Sequence, residues 1–148
     1  MKRVILVLLL TFLMAIPVYA DNFLDGVDAY NNKDYKEAIR LFRLSAEQGD
    51  ADAQYNLGFM HHKGMGVLQN YKKAVKWYRL SAEQEQSHAQ LHLGYMHNYG
   101  LGVSQDSEEA YRLYRLSAEQ GNSSAQVNLG LMYAEGDGIP KNYEEASS

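Results

Sequence analysis

The chain of 148 residues contains no cysteine and only 2 prolines. The first absence excludes a disulfide scaffold, a thiolate zinc centre and lipid attachment at an N-terminal cysteine. Its 12 glycines lack the every-third spacing of collagen. There is no excess of positive charge either. Lys and Arg number 14 against 18 Asp and Glu, a formal balance of -4. Nucleic acid is therefore not expected as a partner, because phosphate binding needs a basic surface. No apolar run reaches the roughly 20 residues of a membrane-spanning helix; the longest, Val4 to Ile16, stands at the N-terminus. What the chain does have is 46% hydrophobic residues and 12 tyrosines, too apolar for disorder and enough for one folded domain.

The N-terminal run has the layout of a secretory signal peptide. Lys2 and Arg3 form a basic start, the apolar stretch follows, and Pro17-Val18-Tyr19-Ala20 ends in a small-residue cleavage pattern. Residues 1–20 are thus expected to be removed, leaving an acidic exported chain, residues 21–148, that makes no membrane contact after cleavage.

Self-similarity then organises the rest. Phe42-Arg43-Leu44-Ser45-Ala46-Glu47-Gln48 recurs with Tyr at its head from Tyr78 to Gln84 and from Tyr114 to Gln120, a period of 36 residues. Two further landmarks share that period. Ala-Gln-x-x-Leu-Gly falls at Ala53 to Gly58, Ala89 to Gly94 and Ala125 to Gly130, and Gly-x-Gly falls at Gly64, Gly100 and Gly136. A period of this length means stacked supersecondary units, none of which can bury its apolar face alone. Within a unit, Ala53, Leu57 and Met60 follow the stripe of an amphipathic helix A, which ends near Gly64 and Gly66. Ala74, Trp77, Tyr78 and Ser81 repeat that spacing as helix B, which stops near Gln84. Asp34, Asn70, Asp106 and Asn142 are expected to cap helix B in successive units. Glu37, Glu109 and Glu145 would complete capping boxes, with Lys73 breaking the pattern. Gly49 and Gly121 suit left-handed turns after helix B. Glu85 in the equivalent place predicts either a cost of about 1 kcal/mol or a different turn.

These motifs, together with Lys73-Ala74-Val75-Lys76-Trp77-Tyr78, resemble the Sel1-like repeat family, relatives of tetratricopeptide repeats with a longer loop between the helices. The resemblance covers roughly Asp21 to Ser148. It divides the chain into a signal peptide (1–20), a first, tetratricopeptide-like unit with a shorter loop (21–50), two full units (51–86 and 87–122) and a truncated one (123–148). It implies an all-α, right-handed α/α solenoid of helix pairs, from a bacterium, in the periplasm or secreted. Its expected role is a non-catalytic adaptor that binds a protein or peptide. Truncation after Ala146-Ser147-Ser148 would leave Leu129, Met132 and Tyr133 as an apolar edge that frays, finds a partner or is covered in a longer array.

Enzymatic and metal readings find little support in the residues. The Gly-x-Gly triplets recur once per unit and lack a Gly-Lys-Ser/Thr continuation, so they read as turns and not as phosphate cradles. His88 and His92 stand at metal-pair spacing on helix A but vary between units, with Asp52 and Ser124 or Asn56 and Asn128 in their places. A solvated face is therefore expected, with no metal and no cofactor. His61 aligns with His97 and Tyr133 and is expected to be a packed, hydrogen-bonded histidine. The resemblance also carries a second functional reading, a β-lactam-binding or weakly hydrolytic protein of the secreted type. That branch looks cysteine-rich, and this chain has neither cysteine nor Ser-x-x-Lys, Ser-Asp-Asn or Lys-Thr-Gly.

The remaining candidate is a partner surface. Residues opposite the buried stripe of helix A change from unit to unit: Tyr55, Phe59 and His62, then Leu91, Tyr95 and Asn98, then Val127, Leu131 and Ala134. Each such side chain either lines a groove or packs against the next unit. By resemblance to tetratricopeptide arrays, whose helix A lines a concave groove, Asp52, Lys63, His88 and Tyr99 join the set, with Ser124 and Glu135 in the last unit.

Overall fold

The computed structural model describes residues 22–136 and 138; the expected signal peptide and the caps at Asn142 and Glu145 lie outside them. The described residues form seven helices and no strands: α1 (22–31), α2 (Tyr35–Glu47), α3 (Ala51–Lys63), α4 (Tyr71–Glu83), α5 (Ser87–Tyr99), α6 (Ser107–Glu119) and α7 (Ser123–Glu135). Helices α1, α3, α5 and α7 are the A helices, and α2, α4 and α6 are the B helices. From α2 onward each packs on its neighbours in the chain, which makes an α/α solenoid.

Every helix start from α2 onward is closed by a side chain that accepts the N–H three residues on: Asp34, Asp50, Asn70, Gln86, Asp106 and Asn122. The capping boxes, however, form only by half. Glu37 and Glu109 turn outward to Arg40 and Arg112, at 2.6 and 2.7 Å. The cap N–H groups of Asp34 and Asp106 instead donate to the carbonyls of Ala29 and His97 in the preceding A helix. A carboxylate offered a guanidinium three residues away gains a bidentate charged pair, and the cap N–H is already satisfied.

Apolar burial is concentrated where a B helix meets the next A helix. Ala38, Ile39, Phe42 and Ala46 of α2 pack with Ala53, Leu57 and Met60 of α3, and Tyr78 of α4 with Leu93 and Met96 of α5. Within each unit, a glycine in the A helix lets it approach its own B helix closely. A Cβ on Gly58 or Gly94 would meet the ring of Tyr78 or Tyr114 at 2.8 or 2.9 Å, and one on Gly26 would meet Phe42. Polar clasps cross the same layers. Ser81 donates to the Ala51 carbonyl at 2.6 Å, and Gln84 donates to Gln54 at 2.8 Å, which in turn donates to the Ala46 carbonyl at 3.2 Å, tying α4, α3 and α2 together. Ser117 and Gln120 repeat the clasp one unit on, onto Ser87 and Gln90. The repeated Ser-Ala-Glu-Gln and Ala-Gln motifs are therefore hydrogen-bonding elements, satisfying polar groups that stacking would otherwise bury unpaired.

The turn after helix B keeps one shape despite its change of residue. Gly49, Glu85 and Gly121 all have positive φ (95°, 62° and 86°), and each donates its N–H to the equivalent alanine carbonyl. Glu85 is held in the left-handed region by its surroundings, which L side chains adopt at a cost. Glu85→Gly should therefore stabilise the fold by about 0.5–1 kcal/mol. Equilibrium urea unfolding checks this: the midpoint should rise with an unchanged slope, and an unmoved or lower midpoint contradicts it.

Candidate partner-binding site

Rings from α3, α4 and α5 form a continuous layer along the A-helix face. Tyr55 contacts Phe59, Tyr78, His88 and His92, with ring centroids 5.6–6.3 Å apart. His92 stacks on Tyr78 at 5.3 Å, and His62 stacks on Tyr95 at 6.1 Å. Tyr95 and Tyr99 lie 4.6 Å apart and carry the strip to the last turn of α5.

The structure divides the sequence candidates by depth. Tyr99, Leu131 and Val127 are more than half exposed, Tyr95 is 38% exposed, and Asp52, Lys63 and His88 are also open to solvent. Tyr55, Phe59, Leu91 and Asn98 are half-buried, the first two packed against the α4–α5 core and Leu91 against the α6–α7 core. His62 is not an open groove residue. It is 6% exposed, and its Nδ1 lies 3.2 Å from the hydroxyl of fully buried Tyr78. Burial and then Lys63 hold its pKa below the usual histidine value, while burial raises that of Tyr78, so a neutral ring and a neutral phenol share this hydrogen bond.

Two other expectations are corrected, for His92 and His61. His92 is no solvated residue: it is half-buried among Tyr55, Phe59, His62 and Tyr78, and burial, reinforced by His62, His88 and Lys63, pushes its pKa down to about 4. His61 is packed as expected, but its Nδ1 has no hydrogen-bond partner among the described residues, and the same holds for Nδ1 of His97. At the expected apolar edge, Met132 is buried against α6 and Leu129 half-buried, while Tyr133 stays half exposed with its hydroxyl 2.8 Å from that of Tyr111. The left-handed Gly64 and Gly100 end their A helices. Gly66, Gly102 and Gly138 press against the backbone that opens the preceding B helix, at Tyr35, Tyr71 and Ser107. The triplets thus serve close packing between units.

A pocket that sequence reasoning did not assemble opens beside this strip. It encloses about 110 Å³ between α5 and α7, with Tyr114 of α6 at its base and Asn128 and Glu135 among its walls. The signal for it was the pair Asn98 and Asn128, which stand one repeat on from His62 and His92 and bring smaller side chains to the junction. A larger cavity of about 490 Å³ lies among α4, α5 and α6, lined by both signs of charge, of which Glu109 and Arg112 neutralise each other. Among the described residues no group of three or more His, Asp or Glu is placed to hold a metal, and no helix is long and apolar enough to cross a membrane. The hydroxyls of Ser81 and Ser117 donate to main-chain carbonyls and not to a base.

Helix pairs stacked by burying a B helix against the next A helix define a repeat solenoid, an architecture typical of protein-interaction modules. The chain belongs to the Sel1 repeat family, whose pattern matches residues 20–50, 51–85, 87–122 and 123–146. Among solved structures it is similar to a protective antigen of uropathogenic Escherichia coli with an SLR fold (34% identity, TM-score 0.79, covering 82% of this chain and 27% of that one). It is also similar to a Sel1 repeat protein from Oxalobacter formigenes (36% identity, TM-score 0.76, covering 84% of this chain and 51% of that one). Cysteine rich protein B of Helicobacter pylori shares the fold at 17% identity and a TM-score of 0.60, over 76% of this chain and 95% of that one. The chain therefore spans only a quarter to a half of the first two relatives. A comparison with curated proteins returns no match.

Proposed function

We propose that this protein is an exported, non-catalytic adaptor that holds a segment of a protein partner along the A-helix face of α3, α5 and α7. The observation that carries the reading is the set of exposed Tyr95, Tyr99, Val127 and Leu131 on α5 and α7, of which Tyr95 stacks on buried His62 and packs with Tyr99. Exposed aromatics on a rigid base offer large contact area at little entropic cost, the usual character of interface anchors. Asp52, Lys63 and His88 are exposed on α3 and α5 and would supply polar contacts to the same partner. Export rests on the N-terminal basic, apolar and small-residue pattern of residues 1–20.

Photo-crosslinking in producing cells tests this reading. A photoreactive residue at Tyr99 or Leu131 should capture a discrete partner, whereas one at Leu44 or Leu80 on the B helices should not. Capture of the same partner from the B helices alone would place the interface on the wrong layer and overturn the reading.

A further inference from the structure

We propose that the pocket between α5 and α7 receives one basic side chain of the protein partner, an arginine. This deepens the reading above and rests on it. Tyr95 and Tyr99 form one wall, Leu131 the other, and Tyr114 the base; Glu135 stands at the lining, and no Lys, Arg or His lines the pocket. At about 110 Å³ it has room for three or four waters, which suits a single side chain and not a helix.

The preceding junction of the same chain shows what such a place holds. Shifted by one repeat, Tyr95 corresponds to Phe59, Tyr99 to Lys63, and Asn128 to His92. There Lys63 sets its own ammonium over the Phe59 ring, 5.9 Å from the centroid, and the His92 ring fills the space beside it. In the next junction the intrinsic cation is replaced by Tyr99 and the imidazole by Asn128, whose side chain is hydrogen-bonded to Tyr114. A carboxylate, Glu135, has been added where the earlier junction has Tyr99. Glu135 takes part in none of the ion pairs among the described residues. Aromatic side chains, a carboxylate with no ion-pair partner among the described residues and a lining without Lys, Arg or His are complementary to a cation supplied from outside. A guanidinium fits better than an ammonium because its flat face stacks on a tyrosine ring while its edge pairs with a carboxylate through two N–H groups.

The test is an NMR titration of the protein with the blocked pentapeptide Gly-Gly-Arg-Gly-Gly, and with its citrulline counterpart, which keeps the shape and loses the charge. Titration into the millimolar range covers a single-pocket contact. The arginine peptide should shift the amide signals of Tyr99, Leu131 and Glu135 and bind roughly tenfold tighter than the citrulline peptide. Glu135→Gln, an exposed substitution, should abolish that preference without changing the thermal melt. Equal binding of the two peptides, shifts spread over the acidic surface, or a preference retained in Glu135→Gln would each overturn the proposal. The two readings fail separately. If the partner crosslinks at Tyr99 while the arginine preference is absent, the pocket assignment falls and the A-helix face stands; if the preference is present while crosslinks come from the B helices alone, the A-helix reading falls, and with it the assignment of the bound arginine to that partner.

Discussion

Gly102→Ala should cost about 2–4 kcal/mol and lower the melting temperature by roughly 10 °C, because two penalties coincide at that residue. Its φ of 68° lies in the left-handed region, and a Cβ there would enter the backbone of Tyr71 and Lys72, which cannot move aside as a side-chain tip could. Gly121→Ala separates the two terms. Its φ of 86° carries the same conformational cost, yet nothing described lies within 4 Å of the added carbon. That variant should lose only about 1 kcal/mol. Circular dichroism melts of both proteins decide the matter: equal losses would mean that close approach between units contributes nothing, and the Gly-x-Gly triplets would be ordinary turns.

Acid should destabilise the fold, with His92 in the aromatic layer between the second and third units as the main contributor. Above pH 6.5 the His92 ring is neutral in folded and unfolded chains alike and confers no pH dependence. Between 6.5 and about 4 the unfolded chain takes up a proton that the ring in its aromatic layer refuses, so unfolding becomes progressively easier. Below about 4 both states hold the proton, and the loss levels off at roughly 3 kcal/mol. His61 and His62, both lowered by burial, act in the same direction. Glu109, held below its ordinary value by Arg112, adds its loss as pH falls below about 4.5. His92→Asn installs the residue found at the equivalent positions 56 and 128 and should flatten the decline between pH 6.5 and 4.5. The check is urea unfolding of both proteins at several pH values across that window. An unchanged slope in the variant would mean that His92 is not the group responsible.

The repeat period made most of the architecture legible. Three landmarks in one register placed the helix pairs, their caps and the glycine turns, and even the strained Glu85 was visible as the odd residue in a series. Depth was harder to read. A helical wheel puts Tyr55, Phe59 and His62 together, yet only the reach of Tyr78 from α4 and His92 from α5 decides that His62 is covered. The half-formed capping boxes were hidden for a related reason, since the choice of Glu37 between its cap and Arg40 depends on the cap N–H already having a carbonyl partner in α1. The pocket at Tyr114 escaped because it is defined by what is smaller than in the preceding junction, a difference that becomes a volume only when the units are stacked.

The most direct test of the partner-binding face is the affinity of the crosslinked partner, once purified, for two groups of variants. Tyr95→Ala, Tyr99→Ala and Leu131→Ser alter the exposed strip on the A helices, and Leu44→Ser and Leu80→Ser alter exposed leucines on the B helices. The first group should weaken binding at least tenfold each with melting temperatures close to the parent, and the second should leave it unchanged. Full affinity in the first group with losses in the second would show that the partner sits on the other layer of the solenoid.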